Sequence, residues 1–216
     1  MSDGSRRAAD QTSTGQHPES RAFVFIVNPQ AGHRTTRRLT DQIRKAFQDR
    51  GMERACEIVY TERRNHAQEL ARSFGTRLGR SGIVFACGGD GTAHEVVNGL
   101  HGTGAALGII PTGTANDFAR QTLSTTDVTE LIRRLPNPVI RPVDLFTIND
   151  ELCINITSFG LDTKVQMRAE SINRRFHFLG GLVYPLSIVL SLFGGREFGL
   201  SYELSLEEAG GTVRTM

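Results

Sequence analysis

Lysine is almost missing from this chain. Of 25 basic residues only Lys45 and Lys164 are lysines, so nearly all the positive charge is arginine. No G-x-x-x-x-G-K-S/T run occurs, which excludes a P-loop nucleotide site, and no G-x-G-x-x-G dinucleotide fingerprint follows a strand. Cysteine is equally sparse: Cys56, Cys87 and Cys153 lie far apart in strand-like runs with no C-x-x-C pair. That spacing excludes a thiolate metal site and predicts buried, reduced thiols in a cytoplasmic protein. A net charge of +2 is too small to mark a nucleic-acid binder. Residues 1–20 lack both apolar periodicity and a signal-type hydrophobic segment, and read as a disordered tail.

Long apolar runs are also scarce, with one exception. Between Phe176 and Gly195, "FHFLGGLVYPLSIVLSLFGG" carries no acidic, arginine or lysine side chain, and about 20 apolar residues can span a bilayer. Four glycines, His177 and the mid-segment Pro185 oppose a lone spanning helix, so a buried or interfacial helix is expected. Such a helix suits a lipid pocket or a bilayer surface, and equally plain core packing.

What is present is an alternation. "FVFIVNP", "CEIVYT", "GIVFAC" and "ALGIIP" read as short buried strands. Between them Arg34–Arg50, Ala67–Phe74 and Ala93–Leu100 read as helices, with Gly51 and Gly75 at the ends of the first two. Short helical pieces follow through Phe118 and from Val128 to Leu135, the latter capped by Asp127 or Thr126. Strands alternating with helices predict a three-layer α/β domain with a doubly wound parallel sheet, and ligands of such sheets sit beyond the carboxyl ends of the strands. Each polar, glycine-bearing segment follows a strand: "NPQAG", "TERRNHA", "GGDGT" and "PTGTAND". Four loops therefore converge on one edge.

The pattern changes after Pro136-Asn137-Pro138. "VDLFTIN" and "ELCINITSFG" read as strands joined at Asn149-Asp150, and "LSYELSLEEAGGTVRTM" as one more hairpin. The expected organisation is a nucleotide-binding α/β domain over 21–138 and part of a β-sandwich over 139–216, a module with too few strands to close.

The loop "GGDGT" invites phosphate chemistry without a lysine. Backbone N–H groups at a glycine turn and a helix start bind phosphate unaided, and Gly88, Gly89 and Gly91 allow close approach and positive φ. The loop alone fits equally a tight turn capped by Asp90 or Thr92. Beside phosphate, Asp90 requires an intervening cation such as Mg²⁺, or serves the attacking hydroxyl as proton acceptor. "PTGTANDFAR" supplies a second loop, where Asn116 and Asp117 read as helix caps or as functional groups. Arg34, Arg37 and Arg38 suit phosphates, an anionic membrane surface or a solvated face. His33 and His66 read as loop histidines.

"NPQAG", "GGDGTAHEVVNGL" and "PTGTANDFAR", in this order, resemble the diacylglycerol-kinase catalytic family, which includes bacterial lipid kinases and sphingosine kinases. The likeness continues through "RPVDLFTIN", "CINITSFGLDTKV" and "FLGGLVY", covering roughly residues 22–205. The resemblance implies an ATP- and Mg²⁺-dependent lipid kinase acting on a lipid hydroxyl, diacylglycerol-like or sphingoid, at a membrane surface. It implies ATP contacts at Asn28, Pro29, Gln30, Ala31, Gly32, Thr61, Thr114 and the loop Gly88, Gly89, Asp90, Gly91, Thr92, Ala93, His94 and Glu95. It further implies a water-mediated Mg²⁺ network at Asp90, Asp117 and Asp144, with Asp162 facing the lipid headgroup. Asp90 and Asp117 are the expected catalytic pair, no nucleic-acid partner is expected, and the protein would sit peripherally at the inner membrane face.

One family feature is missing. Bacterial members place the general base in a late Asp-Gly-Glu-like motif, whereas the only Asp-Gly pairs here are Asp3-Gly4 and Asp90-Gly91. The chain is thus expected to be a fragment or a truncated relative. Two alternatives stay open: a NAD kinase-like enzyme, which shares the glycine loop but not "GTANDFAR", and an inactive nucleotide-binding module.

Overall fold

The computed structural model describes residues 21–31, 33–155, 165, 167–169, 171–172, 183–192, 205–207 and 213–215. Residues 1–20, Gly32 and Asp162 lie outside them, as does most of the apolar segment that begins at Phe176. The chain divides into two compact units, Met1–Asn155 and Ile156–Met216.

In the first unit the strands β1 (Ala22–Val27), β2 (Cys56–Tyr60), β3 (Gly82–Gly88) and β4 (Ala106–Pro111) form one parallel sheet in the order β2-β1-β3-β4. Helices α1 (His33–Gln48), α2 (His66–Leu78) and α3 (Asp90–Leu100) cross between them. The short helices α4 (Asp117–Thr122) and α5 (Val128–Arg134) follow β4. Strand β3 is buried at every position, so its run of apolar residues serves both faces of the sheet.

Alternation along β1 separates two cores. Phe23, Phe25 and Val27 pack on one face with Leu39, Ile43 and Phe47 of α1 and with Ile132 beyond β4. Leu39, Ile43 and Phe47 recur every four residues, which puts all three on one side of α1. Val24 and Ile26 face the opposite way, against Ala67, Ala71 and Phe74 of α2 and Ala93, Val96 and Leu100 of α3. These are the three layers expected of the pattern. Phe25 and Phe85 stack with ring centroids 4.7 Å apart, and Phe47 meets Phe23 and Phe25 edge-on.

Two glycines of the helical layer differ from expectation in a consistent way. Helix α2 does not stop at Gly75 but runs to Leu78, and the residue that ends it is Gly79, at φ +53°. Gly75 instead faces the end of α3: a Cβ there would lie 2.7 Å from Thr103 Oγ1 and 2.8 Å from Leu100 Cδ2. From the other helix, a Cβ on Gly99 would lie 2.3 Å from the carbonyl oxygen of Gln68. The two backbones touch where side chains are absent, and this contact fixes α3 against α2. Helix α3 also starts earlier than its apolar pattern suggests, at Asp90 rather than Ala93.

The hairpin β5 (Phe146–Ile148) and β6 (Glu151–Cys153) forms around Asn149 and Asp150, at φ +47° and +68°, the left-handed pair that a two-residue turn needs. It belongs to the first unit, which ends after it at Asn155 rather than before it at Pro138. In the second unit the described residues include helical ones between 165 and 172, the helix α6 (Val183–Leu192) and an antiparallel hairpin of β7 (Ser205–Glu207) and β8 (Val213–Thr215). Among the described residues no helix is long and apolar enough to cross a membrane.

The thiols follow their burial. Cys87 is fully buried in β3 and its pKa is raised strongly, whereas Cys56, half-buried in β2, is pushed up to about 11 by burial against a smaller opposing effect of Arg44. A thiol whose folded pKa lies above its unfolded value of 9.0 favours the native state at lower pH, and that contribution is lost as pH rises from 9.0 through about 11. The expected outcome is that wild-type stability falls more steeply than that of Cys56→Ser over this window, measured by urea unfolding. For the helix contact, Gly99→Ala should destabilise the fold by about 1–3 kcal/mol through overpacking against backbone, read from the same transitions.

Candidate functional site

The sheet's hydrogen-bond ladder continues past the strands and carries their loops together. Asn28 N–H donates to the Cys87 carbonyl, Thr61 N–H to Val27, and Thr112 N–H to Gly88, each at 2.9 Å. The four loops expected to converge therefore leave the sheet side by side at its carboxyl edge. Between them lies an open groove of about 410 Å³ whose lining includes Asn28, Gln30, Thr61, Arg64, Gly91 and Glu95. That size lies within the range typical of small-molecule sites.

Glycine is required where the loops meet. A Cβ on Gly113 would lie 2.4 Å from Gly89 Cα, so the "GGDGT" and "PTGTAND" loops pack backbone against backbone. A Cβ on Gly88 would lie 2.3 Å from Thr92 Oγ1, because Thr92 folds back over it; that hydroxyl accepts from Asn28 Nδ2 at 3.4 Å. Gly91 differs: a Cβ there would meet nothing, since this residue faces the groove. The positive φ expected of these glycines is not used. Gly89 stands at φ −93°, and among the described glycines positive φ occurs at Gly51, Gly79, Gly102 and Gly104. Close approach, not left-handed backbone, is what the loop demands.

Because α3 opens at Asp90, its first-turn N–H groups and the positive end of its dipole face the groove. Thr92 and Ala93 N–H both donate to the Gly89 carbonyl, which closes the turn. Asp90 Oδ1 accepts from Phe118 N–H at 3.4 Å, bridging the start of α3 to the start of α4. Asp117, half-buried, is the first residue of α4. Asn116, at φ +53°, does not cap that helix; its carboxamide accepts from Gly113 N–H at 3.1 Å and donates to the Gly113 carbonyl at 2.7 Å. The side chain of Asn116 is thus not the helix cap that the sequence allowed, but a brace for the loop.

Glu95 has a position that its motif did not disclose. Its carboxylate accepts from Asn65 N–H at 3.0 Å and from Ala67 N–H at 3.1 Å, so it serves the start of α2 from across the groove. Asn65 itself is left-handed at φ +63° and offers no side-chain cap, which leaves those donors to Glu95. Beside it, His66 Nδ1 accepts from Glu62 N–H at 3.1 Å. Arg63 binds Glu69 through two hydrogen bonds of 2.9 and 2.6 Å, and this pairing holds the Glu69 carboxyl below its ordinary range. Arg64 lines the groove as a second guanidinium.

The remaining residues of the expected set are spread more widely. Pro29 and Ala31 form a single 3-10 turn with Gln30, and Gln30 N–H donates to Asn28 Oδ1 at 3.0 Å. Thr114 is exposed beside Gly113, and Asp144 is exposed upstream of β5. His94 is directed to the hairpin, its Nε2 3.3 Å from Glu151 Oε1. Among the described residues no three His, Cys, Asp or Glu side chains gather as a direct metal-binding set. Asn98, which its motif did not single out, forms three side-chain hydrogen bonds: one to the nearby His94 carbonyl and two to the backbone of Leu152, 54 positions away, which left no local signal.

The diacylglycerol kinase catalytic domain matches residues 22–148. A diacylglycerol kinase of Bacillus subtilis (strain 168) is 32% identical over 165 residues, covering 75% of this chain and 52% of its own. A second protein of that organism, YtlR, classed provisionally as a lipid kinase, is 36% identical over 182 residues, covering 76% of this chain and 57% of its own. A crystal structure from Bacillus anthracis str. Sterne, classed provisionally as a diacylglycerol kinase, superposes with a TM-score of 0.55 at 28% identity over 70% of this chain and 54% of that one. The chain spans about half the length of the curated relatives it matches.

Replacing Glu95 with alanine should release the amides of Asn65 and Ala67 and cost about 1–2 kcal/mol, the range for a lost helix cap. Urea unfolding reads the loss, and faster exchange of the Ala67 amide locates it.

Proposed function

The chain belongs to the diacylglycerol kinase catalytic-domain family, and from that membership we propose that the protein is a lipid kinase moving the γ-phosphoryl group of ATP to a lipid hydroxyl. One observation carries the reading: the helix that faces the groove begins with an aspartate, and that aspartate reaches the start of a second helix across a glycine-to-glycine loop contact. Anion-binding amides and a carboxylate are thereby held in one place.

The division of labour follows from the groups present. First-turn amides of α3 bind phosphate oxygens, and the bare Gly91 lets them approach. Asn28, Gln30 and Thr61 line the same groove and orient the nucleotide, with Arg64 adding positive charge. The acceptor oxygen attacks the γ-phosphorus, the bond from that phosphorus to the bridging oxygen breaks, and ADP leaves. Asp90 accepts the hydroxyl proton, while positioning supplies much of the rate.

A Mg²⁺ ion is proposed at Asp90 and Asp117, in the manner of phosphoryl-transfer sites. Asp90 and Asp117 stand at two helix starts that meet, and no all-protein cage surrounds them among the described residues, which suits an ion that keeps its waters. When bound, the ion would neutralise phosphate charge. Asp144 is proposed as the third, water-mediated member. Asp162 is proposed as the acceptor-side carboxylate, with the lipid presented to a protein peripheral at the membrane.

Asp90→Asn should lower lipid phosphorylation by roughly 10²–10⁴-fold with unfolding unchanged, the span assigned to a lost general base. Labelled ATP with diacylglycerol, a sphingoid base and NAD as parallel acceptors checks this. Transfer to NAD would favour the NAD kinase-like reading, and ATP binding without transfer to any acceptor would favour an inactive nucleotide-binding module.

A further inference from the structure

We infer that Glu95 sets the direction in which the nucleotide lies in the groove, by closing with its own carboxylate one of two helix starts that suit phosphate. The inference rests on the kinase reading given above.

Among the described residues, two long helices present their first turns to the groove, α2 through Ala67 and α3 through Gly91 and Thr92. A helix start carries amides without intrahelical partners and the positive end of a dipole, so each suits an anion. The two differ in what already occupies them. At α2, Glu95 accepts from Asn65 N–H at 3.0 Å through one carboxylate oxygen and from Ala67 N–H at 3.1 Å through the other. At α3 no side chain caps the start, and the turn closes from Thr92 N–H onward, which leaves the N–H groups of Asp90 and Gly91 to a ligand. Asp90 behaves as Glu95 does, accepting from Phe118 N–H at the start of α4. Helix α3 therefore lends both its carboxylates to neighbouring helices and keeps its own first amides free.

Charge sharpens the difference. Of the other charged residues in the lining, Arg63 is spent on Glu69, and Glu62 balances Arg64 in formal charge. Glu95 thus decides the sign of the wall at α2. It stands five residues after Asp90, about 7.5 Å along the helix axis. A triphosphate laid towards α2 meets a carboxylate where its oxygens need amides. Laid the other way, the phosphates reach the start of α3 and the uncharged nucleoside lies beside Glu95. Only this second arrangement brings the phosphates to Asp90.

The same helix pair supplies a control. Arg72 of α2 donates to the His101 carbonyl at 2.6 Å and to the Asn98 carbonyl at 3.2 Å, clasping α3 at its opposite end. Arg72→Ala loosens the pair and leaves every residue of the groove lining in place.

The test compares the 216-residue wild type with Glu95→Gln, Glu95→Ala and Arg72→Ala. Glutamine keeps the volume and an accepting oxygen but not the charge; alanine frees both amides. Calorimetry gives the affinities of MgATP and of magnesium tripolyphosphate, which has no nucleoside to orient. Initial rates with diacylglycerol in phosphatidylglycerol vesicles give kcat and the KM for ATP. The preference for ATP over tripolyphosphate should fall about tenfold in Glu95→Gln, as for one repulsive charge removed at this range, and further in Glu95→Ala. In Arg72→Ala it should stay within about twofold of wild type, as for a distant site. With a reversed, unproductive mode opened, kcat and KM in Glu95→Gln should fall together, since kcat/KM reports only the productive one. An unchanged preference in both Glu95 variants would overturn the inference, as would an equal loss in Arg72→Ala or failure of both Glu95 variants to fold. A raised KM at wild-type kcat would also overturn it, because Glu95 would then touch the nucleotide directly. A wild type that binds MgATP but transfers to no vesicle lipid would overturn the kinase reading, and the affinity ratio would still decide the role of Glu95. A wild type that does not bind MgATP would overturn both.

Discussion

The contact of Gly89 with Gly113 is the constraint on which the site depends. Strands β3 and β4 are neighbours in register, so the loops leaving them are only one strand spacing apart. With a side chain at Gly113 they would be forced to splay, since its Cβ would lie 2.4 Å from Gly89 Cα. Bare backbone lets them pack, and that packing brings the start of α4 within reach of Asp90. The groove is thus a property of strand order first and of its polar side chains second. The buried, two-faced β3 sets the spacing, and the Phe25–Phe85 stack beneath it keeps the sheet from adjusting.

A second constraint acts from the helical layer. Gly99 and Gly75 let α2 and α3 touch, and the same pair of helices is tied at the other end by Glu95. Because the carboxylate of one helix caps the other, the loop carrying Thr61 through Asn65 takes its position from α3. The helix that presents amides to the groove also places the opposite wall.

Much of this was legible in the residues, and what was not has a common cause. Four short apolar runs disclosed the parallel sheet, and the polar segment after each disclosed the edge where a ligand would sit. Asn149-Asp150 disclosed the hairpin, because a two-residue turn requires left-handed backbone that these residues tolerate. Gly75 was misleading: a glycine late in a helical pattern looks like a stop, and only the approach of Leu100 and Thr103 shows it to be a packing position. Glu95 and Asn98 were harder still. Their partners lie 28 to 30 and 54 positions away, and nothing local to "GGDGTAHEVVNGL" says that its glutamate caps another helix or that its asparagine completes a strand. Local chemistry shows in local sequence, whereas side chains that serve distant backbone do not.

The scarcity of lysine gains a meaning from the way α3 begins. Among the described residues the groove's lining includes arginine but no lysine, so it has no ammonium to lose at high pH and no primary amine open to acylation or Schiff-base formation. The N–H groups at the start of α3 belong to the main chain, so no single side-chain replacement deletes them. They change only when the path of the backbone changes. The path of that backbone responds to volume at Gly88 and Gly113, where an added Cβ would meet Thr92 and Gly89.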